Sequence, residues 1–384
     1  MSDSNRAKVR IARESSWGAT PANGPATREL RFTSEGLVHD KQTVESGEID
    51  ASRQTTDMLE VGQAANGPIN VEFSYDNYED LLETAVRGTI ASTRVAMASV
   101  TVAASSITRP TGGNFLTAFA VGQYVKFKSG GHADTGAVRQ IRTLSSTTMG
   151  LAGSALTASV CASAAVLGRT LTNGVTKTSY FIEVDFQDAN TVKYFNGMAN
   201  DQTQLTLASG QIITGVFTFM GKRGFEASAS VASTVVASAN TNTAMTAAVN
   251  VAEIRENGNL LTDAVQNLNL TIANAMRPKP RVASKTGDQH GDGKIAVTGN
   301  LTMYLARKAL LSKYINHDST SLSFAMKDAS GNYVCVTMDK VKFTTGTPSA
   351  PGTDQDVFQP LDFRALKGET SGKTIRIDLL PASF

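Results

Sequence analysis

The sequence predicts a mainly β protein: two similar β-sandwich units in tandem, each with a short packed α-helix, plus a small inserted β-barrel or sandwich module. Three observations carry that expectation. First, a block recurs. Gly67-Pro-Ile-Asn-Val71 running on to Tyr78 matches Gly293-Lys-Ile-Ala-Val297 running on to Tyr304, at one ungapped offset of 226 residues. A second pair, Val184-Asp-Phe-Gln-Asp188-Ala189 and Phe324-Ala-Met-Lys-Asp328-Ala329, matches at an offset of 140. Self-similarity at long period marks a repeated architectural unit. Second, the two offsets differ by 86 residues, so the first unit holds an insert of that size. Third, charged residues make up only 18% of the chain and Ala, Ser, Thr, Gly and Val fill the deficit, a mix suited to strands and turns.

The length of 384 residues suffices for two or three domains with full cores. Residues 1–28, with Pro21, Gly24 and Pro25, read as an N-terminal arm that is either a floppy terminus or orders on a neighbour. The first unit then covers 29–89 and 171–226 and opens on the strand Glu29–Thr33. Residues 36–66 are charged and poor in large apolar side chains, which predicts a functional loop or a projecting hairpin. The strand Ile69–Phe73 leads into a helix. Asp76 or Asn77 is its expected cap, Gly88 its expected end, and Tyr78, Leu81, Leu82 and Ala85 form its apolar stripe.

Residues 90–170 contain short strands broken by Gly and Ser/Thr turns (Val121–Phe127, Val138–Leu144, Thr147–Leu151), enough for a small barrel or sandwich set into one strand-helix connection. The first unit resumes with the strands Ser179–Phe186 and Ile212–Phe219. Residues 227–248, almost entirely Ala, Ser, Thr, Asn and Val, read as a linker. The second unit covers 249–384 and ends on the strand Thr374–Leu380. Thr302 is the expected cap of its helix and Met303, Ala306, Leu310 and Tyr314 the stripe.

Chemistry is hard to find. His39, His132, His290 and His317 are scattered without metal-ligand spacing and read as surface residues. Asp288-Gln-His290-Gly-Asp292-Gly293 looks faintly like a calcium loop, but Gly299 stands where a bidentate Glu is needed. There is no phosphate-binding glycine loop and no nucleophile elbow. Asn269-Leu-Thr and Asn300-Leu-Thr fit a glycosylation pattern by coincidence. Cys161 and Cys335 lie in separate apolar runs and are expected to pack as small core residues rather than to bond. The net charge of +2, with both signs interspersed, gives no reason to expect a nucleic-acid surface. No apolar run reaches transmembrane length, and none resembles a signal peptide. An architectural protein with no cofactor or metal fits better than an enzyme.

Arg13-Glu-Ser-Ser-Trp17-Gly-Ala-Thr-Pro-Ala22, followed by Glu29-Leu-Arg-Phe-Thr-Ser-Glu35, resembles the opening of siphophage tail tube (major tail) proteins. So do Ser46-Gly-Glu-Ile-Asp-Ala-Ser-Arg53-Gln-Thr-Thr-Asp57 and the Gly67–Leu82 strand-helix. The insert, with Phe119-Ala-Val-Gly-Gln-Tyr-Val-Lys126, is similar to a β module found within some of them. The resemblance implies tail-tube-type sandwiches that close into rings and stack as a hollow tube around a tape-measure protein and later DNA. It implies assembly in the host cytoplasm, residence in the virion tail, and tail tip and head-tail completion proteins as further partners. A doubled chain implies a trimeric pseudo-hexameric ring, with a true hexamer still open. The candidate inter-ring or inter-subunit contacts are Arg13, Trp17, Glu45, Glu48, Asp50, Arg53, Asp57, Arg277, Lys279 and Arg281. A strongly basic bore would grip phosphates and stall ejection, so the expected lumen is neutral to acidic. Inter-subunit strand pairing is expected to cover open sheet edges, and the inserted module to sit outside. The alternative is a β-rich virion decoration protein or surface adhesin.

Overall fold

The computed structural model describes residues 3–19, 26–110, 114–231, 236–262, 264–305, 308–350 and 352–383. Pro21, Gly24 and Pro25 of the arm and Ala306 of the second stripe lie outside them. After a 3-10 turn at Ser4–Arg6 come β1 (Ala7–Arg13), β2 (Thr27–Leu30), β3 (Ser34–Glu35), β4 (Val38–Glu45), β5 (Met58–Glu72) and α1 (Glu79–Val86). Next come β6 (Ala91–Ala103), β7 (Ser106–Thr108), α2 (Phe115–Ala118), β8 (Tyr124–Lys128), β9 (Val138–Leu144), β10 (Thr148–Ala152) and β11 (Ser159–Thr172). β12 (Tyr180–Phe186), β13 (Thr191–Ala208), β14 (Thr214–Gly221), β15 (Arg223–Ala227) and β16 (Val236–Ala237) follow. The remainder is β17 (Val251–Glu256), β18 (Asn259–Leu260), β19 (Val265–Ala273), β20 (Arg277–Arg281), β21 (Ser284–Gly291), β22 (Ala296–Tyr304), α3 (Ala309–Ile315), β23 (Thr320–Lys327), β24 (Tyr333–Phe343), β25 (Phe358–Leu366) and β26 (Arg376–Leu380).

One sheet runs through both halves of the chain in the order β3, β5, β14, β13, β19, β22, β25, β24. Its centre is the antiparallel β13·β19 ladder, from Gln202↔Ala273 to Ala208↔Asn267. The strands read with period two. Ile69, Val71, Phe217, Leu205, Leu270, Val297, Leu361 and Phe363 point to one face and are buried. Cross-strand partners share a face, so this alternation fixes the register: a one-residue slip would turn every Leu and Phe to the other side.

Against the buried face lies a second layer. It includes β23, the first part of β24 and β26, whose Val334, Val336 and Ile377 meet Phe73, Leu82, Phe217, Leu270 and Ile272 around a void of about 20 Å³. In the first half, β2, β1, β12, the start of β13 and β15 form the corresponding layer. The buried apolar side chains of both halves make one continuous cluster, from Val9 to Leu379. The described part of the 227–248 segment is tied down at its end: Met245 is fully buried, accepts from the Ile213 N–H and donates to Phe73 O.

Residues 91–172 close on themselves. β6 pairs with β11, β11 with β8, β8 with β9, β9 with β10, β10 with β7, and β7 with β6, a six-stranded barrel around its own apolar cluster. The barrel is anchored by more than its two connections. β11 adds a short ladder to β26, and Tyr124 and Val138 form a small buried cluster with Ala325, Cys335 and Leu380. Cys335 points away from Val334 and Val336 on the same strand, so the barrel sits on the far side of the second layer. Both cysteines are buried and free.

Some local expectations need correction. In α1, Tyr78, Leu81, Leu82 and Ala85 are buried as the spacing predicts. Neither Asp76 nor Asn77 caps the helix: Tyr78 occupies the N-cap without a side-chain bond, while the Asn77 amide donates to Ser74 Oγ at 2.7 Å. The helix ends at Arg87, in left-handed geometry at φ 54°, rather than at Gly88. Arg87 is held there because its guanidinium donates to Thr84 O at 2.7 Å and pairs with Asp292 at 3.0 Å. α3 begins later than expected. Thr302 and Met303 belong to β22, where pairing on both flanks (Thr302 with Asn267 and Pro360) keeps them extended. Of that stripe Leu310 is buried and Tyr314 half-buried. The strand expected at Glu29–Thr33 is β2, which runs Thr27–Leu30.

Candidate assembly surfaces

Three features stand out. The first is the open face of the continuous sheet. Alternation that sends Leu, Ile and Phe inward sends Asn, Gln and Thr outward. Two rows cross it: Asn70, Val216, Gln204, Thr271, Thr298 and Arg364; and Glu72, Thr214, Thr206, Asn269, Asn300 and Asp362. Charges are few and of both signs. Asp362 is engaged, accepting from the Asn300 amide at 2.6 Å and the Thr345 hydroxyl at 2.9 Å, and Lys342 stands opposite Arg364 at the last strand.

The second feature is a pair of hairpins. β4 and the first part of β5 pair from Val38↔Asn66 to Glu45↔Met58, with an exposed tip at 46–57, so the 36–66 segment is a projecting hairpin. β20 and β21 form the other, shorter hairpin. They are joined by an ion pair, Lys285 Nζ to Glu60 Oε2 at 2.9 Å. Bonding to Lys285, then to Gln63, lowers the Glu60 pKa.

The sequence candidates divide between these places. Glu45, Glu48, Asp50, Arg53 and Asp57 all lie on the first hairpin and are exposed. There Asp50 accepts from the Ser52 N–H at 2.7 Å, which lowers its pKa, and Arg53 turns the chain at φ 61°. Arg277, Lys279 and Arg281 make up the charged positions of β20, every residue of which is exposed. Arg281 pairs with Asp288 of β21 at 2.9 Å.

Arg13 and Trp17 lie elsewhere, in the third feature. Arg13 is exposed at the end of β1. Trp17 is partly buried within its own chain: its indole N–H donates to Gly197 O at 3.2 Å, Lys222 lies 5.2 Å over its ring, and His290 meets it edge-on at 5.6 Å. Buried Glu14 fastens the same turn, accepting from the N–H groups of Gly18 and Gly197 and from Ser179 Oγ, each at 2.7 Å. His290 is therefore buried rather than superficial, and that burial lowers its pKa. Neighbouring Asp292 pairs with Arg87 and Lys177, so the faint calcium-loop carboxylates are occupied by cations. Among the described residues no cluster of His, Cys, Asp and Glu could hold a metal, and no helix is long and apolar enough to cross a membrane.

Glu14, His290 and the amide-hydroxyl face escaped sequence reasoning. The last had a signal in Gln202-Thr-Gln-Leu-Thr206, Asn267-Leu-Asn-Leu-Thr271 and Thr298-Gly-Asn-Leu-Thr302, where polar and apolar residues alternate. Comparison with known families decides the identity, because the family described as phage tail tube protein matches residues 4–365. The chain belongs to that family. No individual curated protein matches it. The tail tube assignment makes the protein a structural component of the virion tail that assembles with itself into a tube, and the family is not a known enzyme class. The match spans both halves of the continuous sheet and the barrel alike.

Proposed function

We propose that three copies of this tail tube protein close into a ring, that rings stack, and that the amide-hydroxyl face of the continuous sheet lines the bore through which DNA is delivered. The observation that carries this is the order of pairing. β3, β5, β14 and β13 recur as β19, β22, β25 and β24, and the helix after β5 recurs after β22. On this reading the chain is two editions of one tube-type sandwich. The β13·β19 ladder is then the junction between neighbouring units, and a ring repeats it. A ring would also cover the edge at β3 and the end of β24 beyond Val341, where pairing with β23 stops, each otherwise a template for uncontrolled pairing.

Amides and hydroxyls without net charge suit a bore that must let phosphates slide, since bound cations would retain DNA by counterion release. The barrel sits beyond the second layer, away from this face, which supports an external position. The tape-measure protein would occupy the same bore before DNA. Tail tip and completion proteins would meet the terminal rings, and assembly would take place in the host cytoplasm. Electron microscopy of purified protein tests the reading: threefold annuli or uniform tubes are expected. Strict sixfold rings, each unit a whole chain, would replace the trimer by the hexamer. A strictly monomeric chain at high concentration would refute both.

A further inference from the structure

We infer that the two hairpins form a charge-coded contact between neighbouring copies in one ring: the basic β20 edge of one copy meets the acidic β4–β5 hairpin of the next. This rests on the ring reading above and names the surfaces within it. The hairpins have opposite characters. Residues 38–60 carry Asp40, Glu45, Glu48, Asp50, Asp57 and Glu60 against Lys41 and Arg53. Residues 277–291 carry Arg277, Lys279, Arg281 and Lys285 against Asp288. Within one chain they lie side by side, β5 beside β21, and Lys285–Glu60 joins them. That leaves β20 as the outer flank of the basic hairpin and β4 as the outer flank of the acidic one, both exposed.

If units repeat around a ring, the outer flank of each basic hairpin faces the outer flank of the next acidic hairpin. The contact is ionic rather than a ladder. Pro278 and Pro280 alternate with the charged residues and have no N–H, so β20 cannot donate to an added strand at those positions. Its cations remain free to reach carboxylates, and opposite potentials also speed encounter and exclude wrong partners. Every hairpin would then have an opposite charge on both sides, and wrong pairings between like hairpins would be repelled.

The test uses the full chain with two surface swaps. Lys279→Glu with Arg281→Glu, and separately Glu48→Lys with Asp50→Lys, each reverse one surface at exposed positions. Each is expected to fold with an unchanged melting temperature yet to lose at least about tenfold in tube yield at low salt, where screening is weakest. The fourfold variant carrying both swaps is expected to assemble again with itself and to stay out of wild-type tubes. A Glu48→Cys, Arg281→Cys variant, its native cysteines being buried, is expected to crosslink into a ladder that ends at one ring. Normal tubes from either single-surface variant would overturn the contact while leaving the ring reading intact. A ladder extending beyond one ring would place the contact between rings and overturn it as stated. Wild-type protein that forms no oligomer at all would remove the ring reading and this contact together.

Discussion

Asn269 and Asn300 stand directly opposite each other across the β19·β22 ladder, on the open face of the sheet. Each is followed by a buried Leu and then a Thr on its own side, which is why both resemble glycosylation acceptors. If that face lines the bore, charge placed there matters more than stability. Asn269→Lys with Gln204→Lys should leave melting nearly unchanged, since both side chains are at least partly exposed. Tubes of this variant should retain short DNA duplexes at low salt and release them as salt rises, with a log–log slope that wild-type tubes lack. Equal DNA retention by both would argue against this face lining the bore.

The N-terminal turn should be held by both Glu14 and Trp17. Glu14→Ala leaves two backbone N–H groups and the Ser179 hydroxyl without their acceptor, and about 2–3 kcal/mol of stability should be lost. Trp17→Ala removes one hydrogen bond, the Lys222 contact and the edge-on His290 contact, and about 1–3 kcal/mol should follow. Trp17 is the single tryptophan, so its fluorescence reports whether Glu14→Ala frees the turn before global unfolding in denaturant.

Asp378 predicts an unusual pH dependence. It is fully buried where the barrel meets β26; Oδ2 accepts from the Tyr124 N–H at 2.8 Å, and Thr170 of β11 stands opposite it in the β11·β26 ladder. Burial pushes its pKa up to about 6, against the lowering pull of Arg376, of the Tyr124 N–H and of the Thr170 hydroxyl, with Asp339 adding to the rise. A folded value above the unfolded one means that its contribution is complete below about pH 4 and is lost as pH rises through about 6. Asp378→Asn should therefore be more stable than wild type by up to about 3 kcal/mol above pH 7, and the difference should shrink towards pH 4. Denaturation curves at several pH values would expose the opposite slope if the carboxyl stays ionised in the fold.

How much of this was legible follows range. The α1 stripe was readable because Tyr78, Leu81, Leu82 and Ala85 lie within eight residues and bury against one sheet. The 36–66 hairpin was readable for the same local reason. The later start of α3 was not, because pairing of Thr302 with strands 35 and 58 residues away overrides a plausible cap. Glu14 and His290 were missed because their partners, Gly197 and Trp17, are 183 and 273 residues distant and no short motif links them. The charged candidates on the two hairpins were visible as residues, but only the fold brings Lys285 to Glu60.

The barrel looks in sequence like a module that could be removed, and the fold argues otherwise. Tyr124 and Val138 cover Ala325, Cys335 and Leu380. Tyr124 O–H and the Gln140 amide reach Ser323 Oγ at 3.3 and 3.1 Å, Arg376 donates to Val121 O at 2.9 Å, and Lys126 Nζ donates to Pro381 O at 2.6 Å. Replacing residues 91–171 by a short Gly/Ser loop would bare that apolar patch and strip the Tyr124 N–H from buried Asp378. Burial lost at about 25 cal/mol per Å² and a partnerless carboxyl act in the same direction. The deletion should therefore lower the melting temperature markedly and raise aggregation, even though the barrel has its own core. Adding Cys335→Ser and Leu380→Lys to the deletion should recover solubility, because the aggregating surface is then polar. A deletion variant that melts like wild type would mean that the barrel only decorates the chain that carries it.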